Sequence, residues 1–430
     1  MRGSILIFAV CAALAAFTAA CNVRSGNQTD ESQVQDLLVH EITADMKGNL
    51  LPFWKKSSVD HDDPRQGFFG RIAHDGTGIG DAKKYNVLFA RYLWTWSAAY
   101  RVLGDTESRR LSDRAFNYIS EHFIDHEHGG MHWTLNADGS LADPSKITYG
   151  QSFAIYAFSE YYRATKDDES LRLAIDIYQL LEEKARDREY GGYLEGFSAD
   201  WQYNEEKGLA EGRIKSMNTH LHLLEAYTNL YRVWPDSQLR ESLEHLMDIF
   251  FDHIVDTSRY HQDLFFGRDW TVDGRYDSYG HDIEFSWLFY EAAEVLGDTD
   301  LLERVTSLSI EIAGKQLSAG LNHQGAMIYE KTGEDLYRRN ISWWVQAEAV
   351  VGFLYAWKIS GDPDFLGAAA GVWEYIKEHM IDYRHGGWHP DLDEHGTPVP
   401  GRLKGDEWTC PYHNVRMGLE VYERFWKPLQ

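Results

Sequence analysis

Cysteine is almost absent from these 430 residues, and cationic side chains are outnumbered. Three cysteines cannot build the disulfide framework of a small secreted scaffold. Cys11 and Cys21 fall in and at the end of an N-terminal leader, which leaves Cys410 alone. With 42 Lys and Arg against 67 Asp and Glu, a net charge of −25, nucleic acid and anionic membrane surfaces are poor partners and a neutral substrate fits better. Long apolar runs are missing too. The run from Ile5 to Phe17, behind Arg2, is too short to span a bilayer and exits through Thr18-Ala19-Ala20, so residues 1–20 are expected to be a signal peptide.

Small residues directly before Cys21 also fit a bacterial lipoprotein processing site, with Thr18 where Leu is usual. Cys21 would then be the lipidated N-terminus of an exported, membrane-anchored or periplasmic protein. Residues 22–33 read as a flexible tether and 34–430 as one catalytic domain, opening with an amphipathic helix from Val34 to Trp54. A monomer is expected. Aromatics are plentiful, 14% with 15 Trp, and either fill a helical core or offer platforms for the apolar faces of sugar rings.

The chain repeats itself. Aromatic-rich helical stretches close on turns that carry Asp105, Asp167, Asp236, Asp298 and Asp362, spaced 62 to 69 residues apart, and a frayed sixth copy, Val421-Tyr422-Glu423-Arg424-Phe425, ends the protein. That period is a helical hairpin plus a long loop. Second, amphipathic helices are expected at Glu107–Phe123, Asp168–Lys184, Ser237–Ile254, Asp300–Gln316 and Pro363–Met380, as an outer ring. Glycine-rich return loops, such as Glu127-His128-Gly129-Gly130 and Arg384-His385-Gly386-Gly387, suggest short β-hairpins gathered at one mouth.

Nine residues before the Tyr100-equivalent position of each copy stand Arg91, Phe153, His222, Glu284, Glu348 and His413. Five of the six are ionisable, on helices otherwise built of Leu, Ala, Phe, Tyr and Trp, which points to one shared site. Arg91 either pairs with Glu284 or Glu348 or stabilises an oxyanion. Asn218, His222 and Glu225 share a helix face, as do His281 and Glu284. The two sets could hold a metal, although their histidines pair differently, and Glu284 is expected to position His281. His220 reads as a core histidine, and Cys410 has no distinctive activating neighbour. Two histidines beside a sugar suit proton abstraction next to a carbonyl, with Arg91 and His222 stabilising the enediolate. A hydrolase would need two carboxyl groups, for which Glu284 and Glu348 are the candidates.

Six motifs in order carry a resemblance: Arg91-Tyr92-Leu93-Trp94-Thr95-Trp96-Ser97, Tyr149-Gly150-Gln151-Ser152-Phe153-Ala154, Asn218-Thr219-His220-Leu221-His222, Gly280-His281-Asp282-Ile283-Glu284, Trp343-Trp344-Val345-Gln346-Ala347-Glu348 and Trp408-Thr409-Cys410-Pro411-Tyr412-His413-Asn414. Nearly the whole chain after the leader resembles the cellobiose 2-epimerases of the N-acylglucosamine 2-epimerase superfamily. The resemblance implies an all-α fold, an (α/α)6 barrel of six helical hairpins. It further implies that His281 and His413 are the acid/base pair, with His413 assisting ring opening. Arg91 and His222 would hold the C1 and C2 oxygens, with Glu284 orienting His281. Tyr149 and Asn218 would bind sugar hydroxyls, and Trp344 and Trp408 would stack the rings, with Trp343 and Glu348 in support. By the same analogy neither metal nor nucleotide cofactor is required. The chain departs from the family at Gly387-Trp388-His389-Pro390-Asp391, where a second aromatic is usual, and in its leader.

The expected activity is inversion of C2 of the reducing-end glucose or mannose in a β-1,4-linked disaccharide such as cellobiose, lactose or mannobiose, through a cis-enediolate. Three alternatives stand beside it: a mannobiose-preferring 2-epimerase, an aldose–ketose isomerase, and a surface glycan-binding lipoprotein without turnover.

Overall fold

The computed structural model describes residues 28–61, 67–209, 212–333, 336–338 and 340–426. The leader, Cys21 and the tether as far as Asn27 lie outside these residues. The opening helix α1 (Gln28–Asp45) starts six residues before the expected Val34 and runs through a wide π-turn (Met46–Leu50) into α2 (Leu51–Ser57). Five hairpins follow: α3 (Asn86–Leu103) with α4 (Thr106–Tyr118), α5 (Thr148–Thr165) with α6 (Asp168–Leu180), α7 (Met217–Tyr231) with α8 (Ser237–Ile249), α9 (Tyr279–Leu296) with α10 (Thr299–Ala319), and α11 (Trp343–Ser360) with α12 (Pro363–Tyr375). Helix α13 (Tyr412–Phe425) ends the described chain.

The repeated turn works through local chemistry. Gly104, Gly297 and Gly361 end α3, α9 and α11 with φ of 69°, 70° and 72°, the left-handed conformation glycine adopts without a Cβ penalty. One residue later the repeat aspartate begins the outer helix as its N-cap. Asp167 accepts from the Ser170 backbone N–H at 2.9 Å, Asp236 from Gln238 at 2.8 Å and Asp298 from Leu301 at 2.9 Å. Four of the outer helices, α4, α6, α8 and α12, end in a further π-turn before an extended residue redirects the chain.

The inner helices α3, α5, α7, α9, α11 and α13 each pack on the next, and α13 returns to α3, so the ring closes. Helix α1 takes the sixth outer place against α12 and α13. Two-residue strands lead into the inner helices, and five of them pair antiparallel with a return loop one repeat on: Lys84–Tyr85 with Thr134–Leu135, Lys146–Ile147 with Gly196–Phe197, Lys215–Ser216 with Phe265–Phe266, Tyr276–Asp277 with Glu330–Thr332, and Ile341–Ser342 with Asp391–Leu392. The expected hairpins close within the return loops as short antiparallel bridges, Ile124 with Met131, Arg186 with Tyr193, Phe266 with Val272, Leu321 with Met327 and Ile381 with Trp388, and the five strand pairs add stitches between neighbouring repeats that fix the mouth of the barrel.

Two positions on α5, α7, α9 and α11 do opposite jobs. Residues two apart point to opposite sides of a helix. The repeat position faces the barrel axis, and the residue two before it grips the return loop behind. Gln151 exchanges both hydrogen bonds with the Met131 backbone at 2.8 and 2.7 Å, and Gln346 does the same with Met327 at 2.8 Å each. His220 accepts from Tyr193 N–H at 3.0 Å, and Asp282 accepts from Gln262 N–H at 2.9 Å. His220 is therefore the structural histidine expected.

Candidate active site

The helical spacing of four, three and four residues stacks side chains in layers down the barrel axis. Tyr149, Asn218 and Trp344 stand one turn above the repeat position, at the mouth, and His281 beside them. Arg91, Phe153, His222, Glu284, Glu348 and His413 form the next layer. Below them come Trp94, Tyr156, Glu225, Trp287, Val351 and Arg416. A cavity of about 580 Å³ opens onto the upper layers, enough for a disaccharide-sized ligand. Arg91, Tyr149, Asn218, His222 and His281 line it, as do Glu284, Trp343, Trp344, Trp408 and His413. Of the expected site residues only Glu348 stands behind the wall.

The histidines are held from behind. His413 Nδ1 lies 2.7 Å from Glu348 Oε1, His222 Nδ1 2.8 Å from Glu225 Oε2, and His281 Nδ1 2.7 Å from the Ser278 hydroxyl. Each arrangement leaves Nε2 as the nitrogen available to a ligand. Burial pushes His281 down to about 3, and burial with Arg416 and Arg91 nearby holds His413 well below the usual histidine range. Both shifts favour the neutral imidazole, the form that can accept a proton.

Glu284 does not orient His281. Its carboxylate turns inward to Arg416 Nη2 at 2.5 Å, and Ser278 fills the orienting role assigned to it. Glu348 likewise is no sugar ligand, because its oxygens are taken by His413, Arg416 at 2.7 Å and Trp287 Nε1 at 3.1 Å. Arg91 pairs with neither glutamate. It donates to the Tyr149 hydroxyl at 2.8 Å and the Trp408 carbonyl at 3.1 Å, with its guanidinium over Phe153 and Tyr412. Among the described residues it has no carboxylate within ion-pair distance, so its charge is free to meet an anion in the cavity. Asn218 Oδ1 is buried without a partner, a hydrogen-bonding atom left for a ligand. Trp408 is 41% exposed at the rim, Trp344 packs on His281 and His413, and Trp343 sets its edge against His413.

Arg416 was not singled out in the sequence. The available signal was its place three residues after His413, the same offset by which Glu225 follows His222. Glu284, Glu348 and His413 bring their ligand atoms close enough to hold a metal. The Arg416 guanidinium already sits on the Oε1 atoms of both glutamates, so that donor set has its cation. Burial, and Glu348 beside it, push the Glu284 carboxyl up, and its Oε1 lies 3.9 Å from His413 Nδ1. Burial pushes the Cys410 thiol up as well, against any role as a nucleophile.

The family described as N-acylglucosamine 2-epimerase (GlcNAc 2-epimerase) matches residues 67–416. The chain belongs to that family. A cellobiose 2-epimerase of Bacteroides fragilis is 40% identical over 394 residues, 90% of this chain and 99% of the relative. One from Ruminococcus albus is 37% identical over 392 residues, again 90% and 99%. The solved cellobiose 2-epimerase of Bacillus thermoamylovorans, 36% identical, superposes with a TM-score of 0.85 over 90% of this chain and 99% of its own. The barrel is the (α/α)6 fold, and the chain is an enzyme of the carbohydrate epimerase and isomerase class.

Proposed function

We propose that the protein inverts C2 of the reducing-end sugar of a β-1,4-linked disaccharide by two-histidine proton transfer. The observation that carries this reading is the pairing of His281 and His413 on one cavity, each held at Nδ1 and free at Nε2, beside an Arg91 guanidinium with no carboxylate of its own. His413 assists ring opening. One histidine, neutral, then takes the C2 proton, leaving an enediolate whose negative oxygen lies toward Arg91 and whose hydroxyl donates to His222 Nε2, and the other, carrying a proton at Nε2 for that step, gives it to the opposite face; exchange of both with solvent resets the pair. The gluco and manno epimers present C2–H to opposite faces, so the two histidines exchange roles with the direction of reaction. Tyr149 and Asn218 bind hydroxyls, and Trp344 and Trp408 cover the rings. Relatives named cellobiose 2-epimerase, aligned over nine-tenths of the chain, support a disaccharide substrate. Cellobiose, lactose and mannobiose are the candidates, and the wall carrying the Asp391–Arg402 pair, 2.6 Å apart, bears on the non-reducing sugar.

The test is incubation with cellobiose, lactose and mannobiose separately in deuterated water. A C2-inverted disaccharide labelled at C2 is expected. A ketose labelled at C1 makes the enzyme an aldose–ketose isomerase, monosaccharides make it a hydrolase, and sugar that binds unchanged makes it a glycan-binding protein. We also propose export with lipidation at Cys21, for which mass spectrometry of the membrane fraction should show an acylated N-terminal peptide that Cys21→Ala abolishes.

A further inference from the structure

Beneath the cavity, reaching its wall only through Glu284, lies a cluster centred on a buried arginine. Arg416, fully buried on α13, reaches Glu225 and the Tyr412 hydroxyl through Nη1, and Glu284 at 2.5 Å and Glu348 at 2.7 Å through Nη2. One guanidinium therefore joins carboxylates from three other inner helices, α7, α9 and α11. Two of these carboxylates are the partners of site histidines. Glu225 Oε2 holds His222 Nδ1 at 2.8 Å, and Glu348 Oε1, the atom Arg416 occupies, also holds His413 Nδ1 at 2.7 Å. The indole N–H of Trp287 takes the other Glu348 oxygen, and the Tyr412 hydroxyl donates to Glu225 Oε1 at 2.6 Å, so neither carboxylate is free to turn.

Stability does not require this arrangement. Three buried carboxylates sharing one guanidinium carry a desolvation cost that apolar side chains of similar volume would avoid. A carboxylate that must present a fixed oxygen to an imidazole does need a cation behind it, because an unanchored buried glutamate protonates or swings toward water. A protonated Glu348 could donate to His413 Nδ1, which would send the imidazole proton to Nε2 and remove the base from the cavity.

We propose that Arg416 is a positioning residue of the reaction: by anchoring Glu225 and Glu348 it fixes His222 and His413 in the tautomers that present Nε2 to the sugar, and couples the two through one guanidinium. The inference rests on the two-histidine reading above and adds to it the group that sets the histidines.

The full chain with 15N-labelled histidine, studied as wild type, Arg416→Met, Arg416→Lys, Glu348→Gln and Arg416→Lys/Glu348→Gln, tests it. Long-range proton–nitrogen spectra should show His222 and His413 as Nδ1–H in the wild type and mixed or reversed in Arg416→Met. C2 deuterium exchange should fall about 100-fold in Arg416→Met, the scale of a misplaced acid–base group, with cellobiose binding by calorimetry little changed. Arg416→Lys keeps the charge without the fork and should recover part of the loss. The double variant should be no slower than the slower single one, because both act through one oxygen.

Wild-type tautomers and exchange in either folded Arg416 variant, or losses that multiply in the double variant, would overturn the proposal. Should Arg416→Met not fold, Arg416→Lys and the double variant decide. A wild type that never exchanges C2 hydrogen sinks the two-histidine reading, while the tautomer spectra still judge Arg416.

Discussion

His281 and His413 sit on the same cavity yet are held differently, one by a hydroxyl and one by a carboxylate. Their replacement by Asn should each cost about 10²- to 10⁴-fold in C2 exchange while disaccharide affinity changes little. Isotope incorporation and calorimetry check this, and either variant that retains exchange leaves the acid/base pair. Arg91→Lys keeps the charge but loses the fork that meets Tyr149 and the Trp408 carbonyl. A drop of about 10²- to 10³-fold in kcat is expected, the scale of a lost oxyanion donor, and unchanged kcat would place Arg91 outside the transition state. The residue scale is where the sequence was read best for the lining groups and least well for their supports. His222, His281 and His413 announce themselves by type and repeat position. The partner of His281 did not, because Ser278 and Glu284 are both three residues away, and only the helix start decides which one the ring meets.

At the scale of elements, the inner helices are set by what grips their N-termini. Ser216 caps α7, accepting from Thr219 N–H, and donates to Glu195, which also takes the Thr219 hydroxyl at 2.9 Å. Burial pushes the Glu195 carboxyl from 4.5 up to about 7, against the pull of those two hydroxyls. A raised folded pKa means the folded state holds the proton more tightly, so this contribution is full below pH 4.5 and is lost as pH rises through 7. Glu195→Gln should therefore melt with a flatter pH dependence between pH 5 and 8 than the wild type; parallel melting curves would refute the assignment. The Gln346 latch gives a second expectation. Gln346→Leu strands the Met327 N–H and C=O in the interior and should cost about 2 kcal/mol or more, with faster hydrogen exchange around Met327.

For the whole molecule, closure of the ring and a large negative charge act together. A net charge of −25 spread over one barrel repels itself, and salt screens that repulsion. The melting temperature should rise as ionic strength goes from about 0.01 to 0.15 M. Turnover of a neutral disaccharide should stay flat over the same range, whereas a steep salt dependence of kcat/KM would point to a charged substrate.

The sequence by itself determined the repeat, the turns and the inward-facing layer. Gly104 and Asp105 act within one or two residues, and helical periodicity carries Arg91, His222 and His413 to one side of their helices whatever surrounds them. The outer helices were legible to within a few residues for the same reason. Only the tertiary structure decided how those side chains pair. Arg416, Glu225, Glu284 and Glu348 come from four different helices, and while His222 meets Glu225 within one helix, the pairing of His413 with Glu348 and of Arg416 with all three carboxylates depends on the angular register of helices that touch only when the ring is closed. Arg91 was expected to have a glutamate as one possible partner, and the closed ring gives both glutamates to Arg416. That exchange leaves Arg91 facing the cavity and Arg416 behind it, a division set by packing across the barrel rather than along the chain.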